Sequence, residues 1–143
     1  MESRIIRRIL HSKDSQAKLA FFHNEIIDRL DNGEKITVVN MPEFESIENS
    51  RIKTRSVDEI YAIQPGQTAF IFGVYPNTAL IDALGRLECK EINITVLDFS
   101  AIYVDLFAKM GFETFCINDN YLCEKPVFGS VEELNAAVLR TVK

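Results

Sequence analysis

Cysteine and histidine are scarce in this 143-residue chain, with three and two respectively, and no C-x-x-C pair occurs. An odd set of thiols, Cys89, Cys116 and Cys123, argues against a disulfide framework or a zinc site and for reduced cysteines. With only His11 and His23 as further ligands, no metal centre is expected. Long apolar runs are also missing: none approaches the roughly 18 residues that span a bilayer. The opening MESRIIRRILHSKD is charged and interrupted too early for a secretory signal. The chain therefore reads as soluble and cytoplasmic, with no membrane partner. Positive charge is in deficit, since a net charge of -5 and a pI near 5.1 give no general attraction to phosphate backbones. Nucleic acid is accordingly not an expected partner.

What is present is periodicity. The length suits a single α/β domain over 1–143, with N-terminal helices in 1–33 and a sheet with its covering helices in 35–143. Residues 2–11 read as a short helix, on which Arg4, Arg7 and Arg8, with Lys13, make a solvated basic face. SKDSQAKLAFFHNEIIDRLDNG reads as a longer helix with Leu19, Phe22, Ile26 and Leu30 on one side and Gly33 as a left-handed stop. His11 and His23 fall in these helices without evident partners. KITVVN, 35–40, is a first strand halted by Pro42, and EFESIENSRIKTR reads as a mobile polar loop.

Ser56 and Glu59 have capping-box spacing, which opens a short helix. TAFIFGVY, 68–75, is apolar at both alternating sets of positions, as in a central strand buried on both faces. Asn77 or Thr78 then caps a helix presenting Leu80, Ile81, Leu84 and Leu87 to the sheet. EINITVLD, 91–98, is the next strand; Ser100 opens the helix AIYVDLFAKM, and Gly111 closes it with Phe112 packing back. FETFCI and YLCEK flank Asn118-Asp119-Asn120 as an antiparallel hairpin, with Cys116 opposite Cys123 at a hydrogen-bonded position too divergent for a disulfide. Ser130 and Glu133 open a last helix with Val131, Leu134 and Val138 inward. The sum is a three-layer, Rossmann-like α/β fold: a mainly parallel sheet, an antiparallel C-terminal hairpin edge and two N-terminal helices.

In open α/β sheets ligands bind beyond the carboxyl ends of the strands, where helix N-termini aim unpaired N–H groups into a crevice. The residues at those ends are Asn40 with Met41, Gly73 to Asn77, Asp98 with Phe99 and Ser100, and Asn118 with Asp119. The segment from Thr68 to Asp119 resembles the nucleotide-binding half of class I S-adenosylmethionine-dependent methyltransferases, in which a G-x-G-x-G loop follows the first strand. The resemblance implies Gly73 as the first glycine, Tyr75 and Asn77 at the second and third positions, Asp98 on the ribose hydroxyls, Asp119 against the adenine, and S-adenosylmethionine as cofactor. Tyr75 sets a side chain where a second glycine would admit the ligand, and Pro76 removes a donor N–H. Either an altered ligand or a site closed over by Tyr75 follows, and closure is favoured.

FSAIYVDLFAKMGFETF, 99–115, resembles the end of GNAT N-acetyltransferases, where a tyrosine-bearing helix leads through G-F into an antiparallel strand. That resemblance implies acetyl-CoA as cofactor and Tyr103 as the acid that protonates the leaving thiolate. The function expected is binding: of a nucleotide-like ligand at a degenerate S-adenosylmethionine-type site, or of a protein partner through the N-terminal helices and the 43–55 loop. Self-association into a homo-oligomer is the related expectation. A small methyl- or acetyl-transferring enzyme is the alternative, for which the residues identify no catalytic group.

Overall fold

The computed structural model describes residues 5–97 and 100–141. In chain order these form β1 (Ile6–His11), α1 (Ser15–Asp31), β2 (Ile36–Val39), β3 (Ile52–Arg55), β4 (Thr68–Val74) and α2 (Thr78–Arg86). There follow β5 (Glu91–Val96), α3 (Ala101–Lys109), β6 (Glu113–Cys116), the single turn α4 (Tyr121–Glu124) and α5 (Val131–Leu139). Two 3-10 turns, Pro42–Phe44 and Val57–Ala62, lie on either side of β3. The strands make one Rossmann-like sheet in the order β3-β2-β4-β5-β1-β6, and every pairing is parallel.

Consecutive strand residues enter opposite cores, as a period of two requires. Leu10, Val38 and Phe70 pack with Phe22 and Ile26 of α1 and with Leu134 and Val138 of α5. Their neighbours Ile9, Val39 and Ile71 pack instead with Leu80 and Leu84 of α2 and Phe107 of α3. The sheet is thus covered on both faces, and each fully buried side chain of this size contributes about 1.5–3 kcal/mol. Local signals hold where they were strongest: Asn77 caps α2 by accepting from Leu80 N–H at 2.8 Å, and the Phe107 and Phe112 rings meet edge-on at 5.4 Å behind Gly111.

The first element departs from expectation. IRRILH is not a helix but strand β1, paired with both β5 and β6. A six-residue run satisfies either period, and the free edges of two neighbouring strands decide between them. Arg7 and Arg8 therefore leave the sheet on opposite faces and make no common basic surface. Arg7 donates to the carbonyls of Met110 and Leu87, at 2.9 and 3.3 Å, whereas Arg8 donates to Asn93 and Glu91, at 2.9 and 3.0 Å; Arg4 lies outside the described residues. His11 ends β1 rather than lying in a helix, and His23 of α1 is buried with Nε2 3.0 Å from Glu43.

The antiparallel hairpin is absent as well. β6 runs parallel to β1, from Arg8↔Glu113 to His11↔Cys116, and YLCE is a helical turn. Asn118 Oδ1 accepts from Asn120 N–H at 2.8 Å, an Asx turn that bends the chain into α4 instead of back along β6. Cys116 and Cys123 are consequently not cross-strand partners, and all three cysteines are free thiols. The 43–55 stretch is built in: Phe44 and Ile47 are buried and β3 forms one edge of the sheet. On α5 the buried residues are Leu134, Ala137 and Val138, with Val131 exposed.

Glu91, at the start of β5, anchors α1 to the sheet. Its carboxylate accepts from Arg29 at 2.9 Å, Arg8 at 3.0 Å and Asn93 at 2.8 Å. Burial alone would push this carboxyl up, but the bonds from Arg29 and Asn93 and the charges of Arg29 and Arg8 more than offset it and hold the group below the usual carboxylate range. Among the described residues no helix is long and apolar enough to cross a membrane.

Candidate functional site

The chain leaves β2 toward the α1 face, where Phe44 and Ile47 join the core. It leaves both neighbours of β2 toward the other face: β3 through the Val57–Ala62 turn, whose Ile60 is buried there, and β4 into α2. Connections that part in this way open a crevice at the strand ends, so the carboxyl end of β2 faces a gap on either side.

Asn40 occupies that end, with φ of 60°. Asparagine is among the few residues other than glycine that tolerate this left-handed geometry. Its amide donates to the carbonyls of Phe72 at 2.8 Å and Gly73 at 3.4 Å. β4 carries a bulge at this point, because the pairing moves from Ile71↔Ile94 to Val74↔Val96 with one residue to spare. Gly73 lies inside the bulge with φ of 63°, and its N–H donates to Thr95 Oγ1 at 2.6 Å. A Cβ on Gly73 would meet nothing nearer than 3.9 Å. Backbone geometry, and not a close approach, is therefore what calls for glycine here.

Two cavities flank Asn40. The first, of about 600 Å³, lies between β2, β4, the Val57–Ala62 turn and the start of α2. Ile60, Val74, Leu80 and Ala83 give it apolar walls, and Asn40, Asn77 and Asp58 supply its polar groups. Tyr61 and Tyr75 also line it, at 75% and 69% exposure. Tyr75 thus stands at the rim and does not fill the space, contrary to the expectation of a closed site.

The second cavity, of about 490 Å³, lies between the ends of β2 and β3 and shares Asn40 and Val57 with the first. Arg55, Glu45, Glu59 and the hydroxyl residues Thr54 and Ser56 line it. The Glu59 carboxylate accepts from Ser56 N–H and from Ser56 Oγ, both at 3.1 Å. These two bonds, with the charge of Arg55, keep Glu59 below the usual carboxylate range. The Nε–H of Arg55 is buried and has no hydrogen-bond partner.

Of the residues singled out in the sequence, Gly73, Tyr75 and Asn77 come together around the first cavity. Asp119 does not join them. It is exposed beyond β6, and β5 and β1 stand between β6 and β4, a separation of roughly 14 Å at ~4.8 Å per strand. Asp98 lies outside the described residues. Tyr103 packs against the α2–α3 core, and α3 leads into a parallel strand where the acetyltransferase resemblance implies an antiparallel one.

Arg55 and Tyr61 were hidden in segments that read as a loop and a plain capped helix. Asn40 was visible only as one strand end among several, although an asparagine between a strand and Met-Pro is itself a signal of left-handed backbone. Among the described residues of the first cavity the ionisable groups are Asp58, Tyr61 and Tyr75. That set offers ring faces and amide hydrogen bonds, but no paired nucleophile and base. No family model, curated protein or solved structure matches the chain, and what stands of the resemblances is the parallel α/β sheet alone.

Proposed function

We propose that the protein binds a nucleoside-type ligand in the crevice at the end of β2, with S-adenosylmethionine as one such ligand. The observation that carries this reading is the cavity of about 600 Å³ at a crevice of the sheet, rimmed by two exposed tyrosines. Its volume falls in the range of ordinary small-molecule sites, roughly 300–1,000 Å³. Exposed aromatic rings over an apolar cavity suit a planar base, whose stacking contributes about 1–3 kcal/mol. The amide hydrogens of Asn40 are committed to Phe72 and Gly73, which leaves its Oδ1 to accept from the ligand.

The charge of this cavity favours a nucleoside over a polyphosphate cofactor. Its described lining contains Asp58 and neither lysine nor arginine, so the phosphates of ATP, NAD or acetyl-CoA would find no cation there. Binding is favoured over group transfer for the same reason that no nucleophile–base pair lines the space.

A thermal-shift titration tests the reading, because a ligand held only by the folded state raises stability by RT ln(1 + [L]/Kd), about 2.7 kcal/mol at a hundred times Kd. 5′-Methylthioadenosine and S-adenosylmethionine are expected to raise the midpoint, and acetyl-CoA, NAD and ATP to leave it in place. Ala83→Trp, which fills the cavity from α2, should cancel the response while the far-ultraviolet circular dichroism is retained. No shift with either nucleoside in the unmodified protein would end this reading.

A further inference from the structure

We propose that β6 is the pairing edge for a second copy of this chain, the two β6 strands joining antiparallel about a two-fold axis at Phe115 so that both sheets run on as one. The proposal is independent of the ligand reading, because β4, β5 and β1 separate β6 from β2.

β6 is left bare in a way the inner strands are not. All four of its residues, Glu113 to Cys116, are exposed, whereas β2 and β5 are buried throughout. Among the described residues no strand lies beyond it. Ile117 N–H donates to the His11 carbonyl at 3.0 Å, so residues 115 and 117 turn their backbone polar groups toward β1. Strand alternation then sends the N–H and C=O of Thr114 and Cys116 outward. In an antiparallel pair centred on Phe115, Thr114 lies opposite Cys116 of the second copy, and residues so placed exchange both backbone hydrogen bonds. Phe115 meets its counterpart at the non-hydrogen-bonded position, where Cα atoms approach to about 4.5 Å. Its ring is already held by Phe21 at 5.4 Å and by the Arg8 guanidinium at 5.5 Å, so an aromatic cross-strand pair forms with little further loss of freedom.

Charge selects this edge. β3, the opposite edge, carries Lys53 and Arg55, and a self-pairing there would bring cations together. β6 has one carboxylate, Glu113, and neither lysine nor proline to guard it. About an axis at Phe115, Glu113 lies opposite Ile117 of the second copy, which keeps the two Glu113 residues roughly 14 Å apart at ~3.4 Å per residue. That exceeds the screening length of about 8 Å at physiological salt, so they do not oppose the joint. A ladder this short covers less than the roughly 1,200–2,000 Å² of a stable interface. α3, which packs against β6, supplies further apolar surface in Ile102 and Leu106, exposed one helical turn apart.

Sedimentation equilibrium across the micromolar range should show monomer and dimer and nothing larger. Thr114→Pro removes an outward N–H and leaves the bonds to β1 in place. It should weaken the dimer at least about tenfold while the circular dichroism matches that of the parent. A second variant reads the register. Phe115→Cys, in a chain with Cys116→Ser and Cys123→Ser, should form a disulfide-linked dimer under mild oxidation, since a Cα separation of about 4.5 Å lies in the range a disulfide spans. Should Thr114→Pro lose its fold, this crosslink decides alone. An unmodified protein that stays monomeric at every concentration would overturn the proposal. So would a dimer that a folded Thr114→Pro leaves intact, or a Phe115→Cys chain that stays unlinked. Open-ended growth that Lys53→Glu suppresses would overturn it in favour of β6 pairing head to tail with β3.

Discussion

The amide of Asn40 donates to the Phe72 carbonyl at 2.8 Å, tying the left-handed end of β2 to the strand that bulges at Gly73. A single side chain that lines both cavities thereby ties β2 to β4, the strands that bound the first.

Asn40→Ala should destabilise the protein by about 1.5–3.5 kcal/mol, from left-handed strain of about 1–2 and a lost hydrogen bond of about 0.5–1.5. Asn40→Gly loses the same bond but keeps the dihedral. Its extra freedom in the unfolded chain costs only about 0.4–1 kcal/mol, so urea denaturation should rank it as the milder change. Glycine proving as costly as alanine would show that the dihedral is not the constraint.

Glu91 should govern part of the acid limb of stability. Its folded pKa lies below its unfolded value, so its contribution is complete above that unfolded value, about 4.3, and is lost as pH falls through the folded one. Glu91→Gln leaves Arg8 and Arg29 with Glu25, at 3.5 and 3.6 Å. A loss of about 2–4 kcal/mol at pH 7 is therefore expected, a little under that for a wholly buried pair. Urea midpoints should bring the variant and the parent closer as pH falls below about 4.3, and a gap that does not narrow on acidification would contradict the assignment.

The thiols should divide two to one. Cys116 and Cys123 are exposed, whereas Cys89 is fully buried and burial pushes its thiol up to about 11. Because the thiolate is the reactive form, a thiol reagent at pH 8 should label two cysteines in the native protein and the third only in denaturant, as counted by mass. Rapid labelling of Cys89 in the folded chain would mean that its surroundings open.

Removing residues 1–12 should abolish the cooperative unfolding transition. β1 is hydrogen-bonded to β5 on one side and β6 on the other, and it carries Ile9 into one core and Leu10 into the other. Were this segment a peripheral helix, the truncated chain would still melt cooperatively in calorimetry, and that result would refute the placement of β1.

Much of the middle of the chain was legible because its signals are local. The Asn77 cap, the apolar stripe of α1 through Phe22, Ile26 and Leu30, and the return of Phe112 onto Phe107 join residues a few positions apart. Such interactions are complete within the segment that shows them. The candidate site was legible in part, since Gly73, Tyr75 and Asn77 follow directly on a recognisable strand. Arg55 and Tyr61 were not, because nothing in their own segments records that β2 leaves the sheet on the opposite side from its neighbours.

By itself, then, the sequence determined the α/β class, the central buried strand and the main helices. Only the tertiary structure decided that IRRILH is a strand, that β6 is parallel and that the crevice opens on both sides of Asn40. The physical reason is distance along the chain: Arg8 bonds to Asn93 across 85 residues and Asn40 to Phe72 across 32. A short run whose pattern suits either helix or strand takes its form from whichever edge is free to pair with it, and that edge is made elsewhere in the chain.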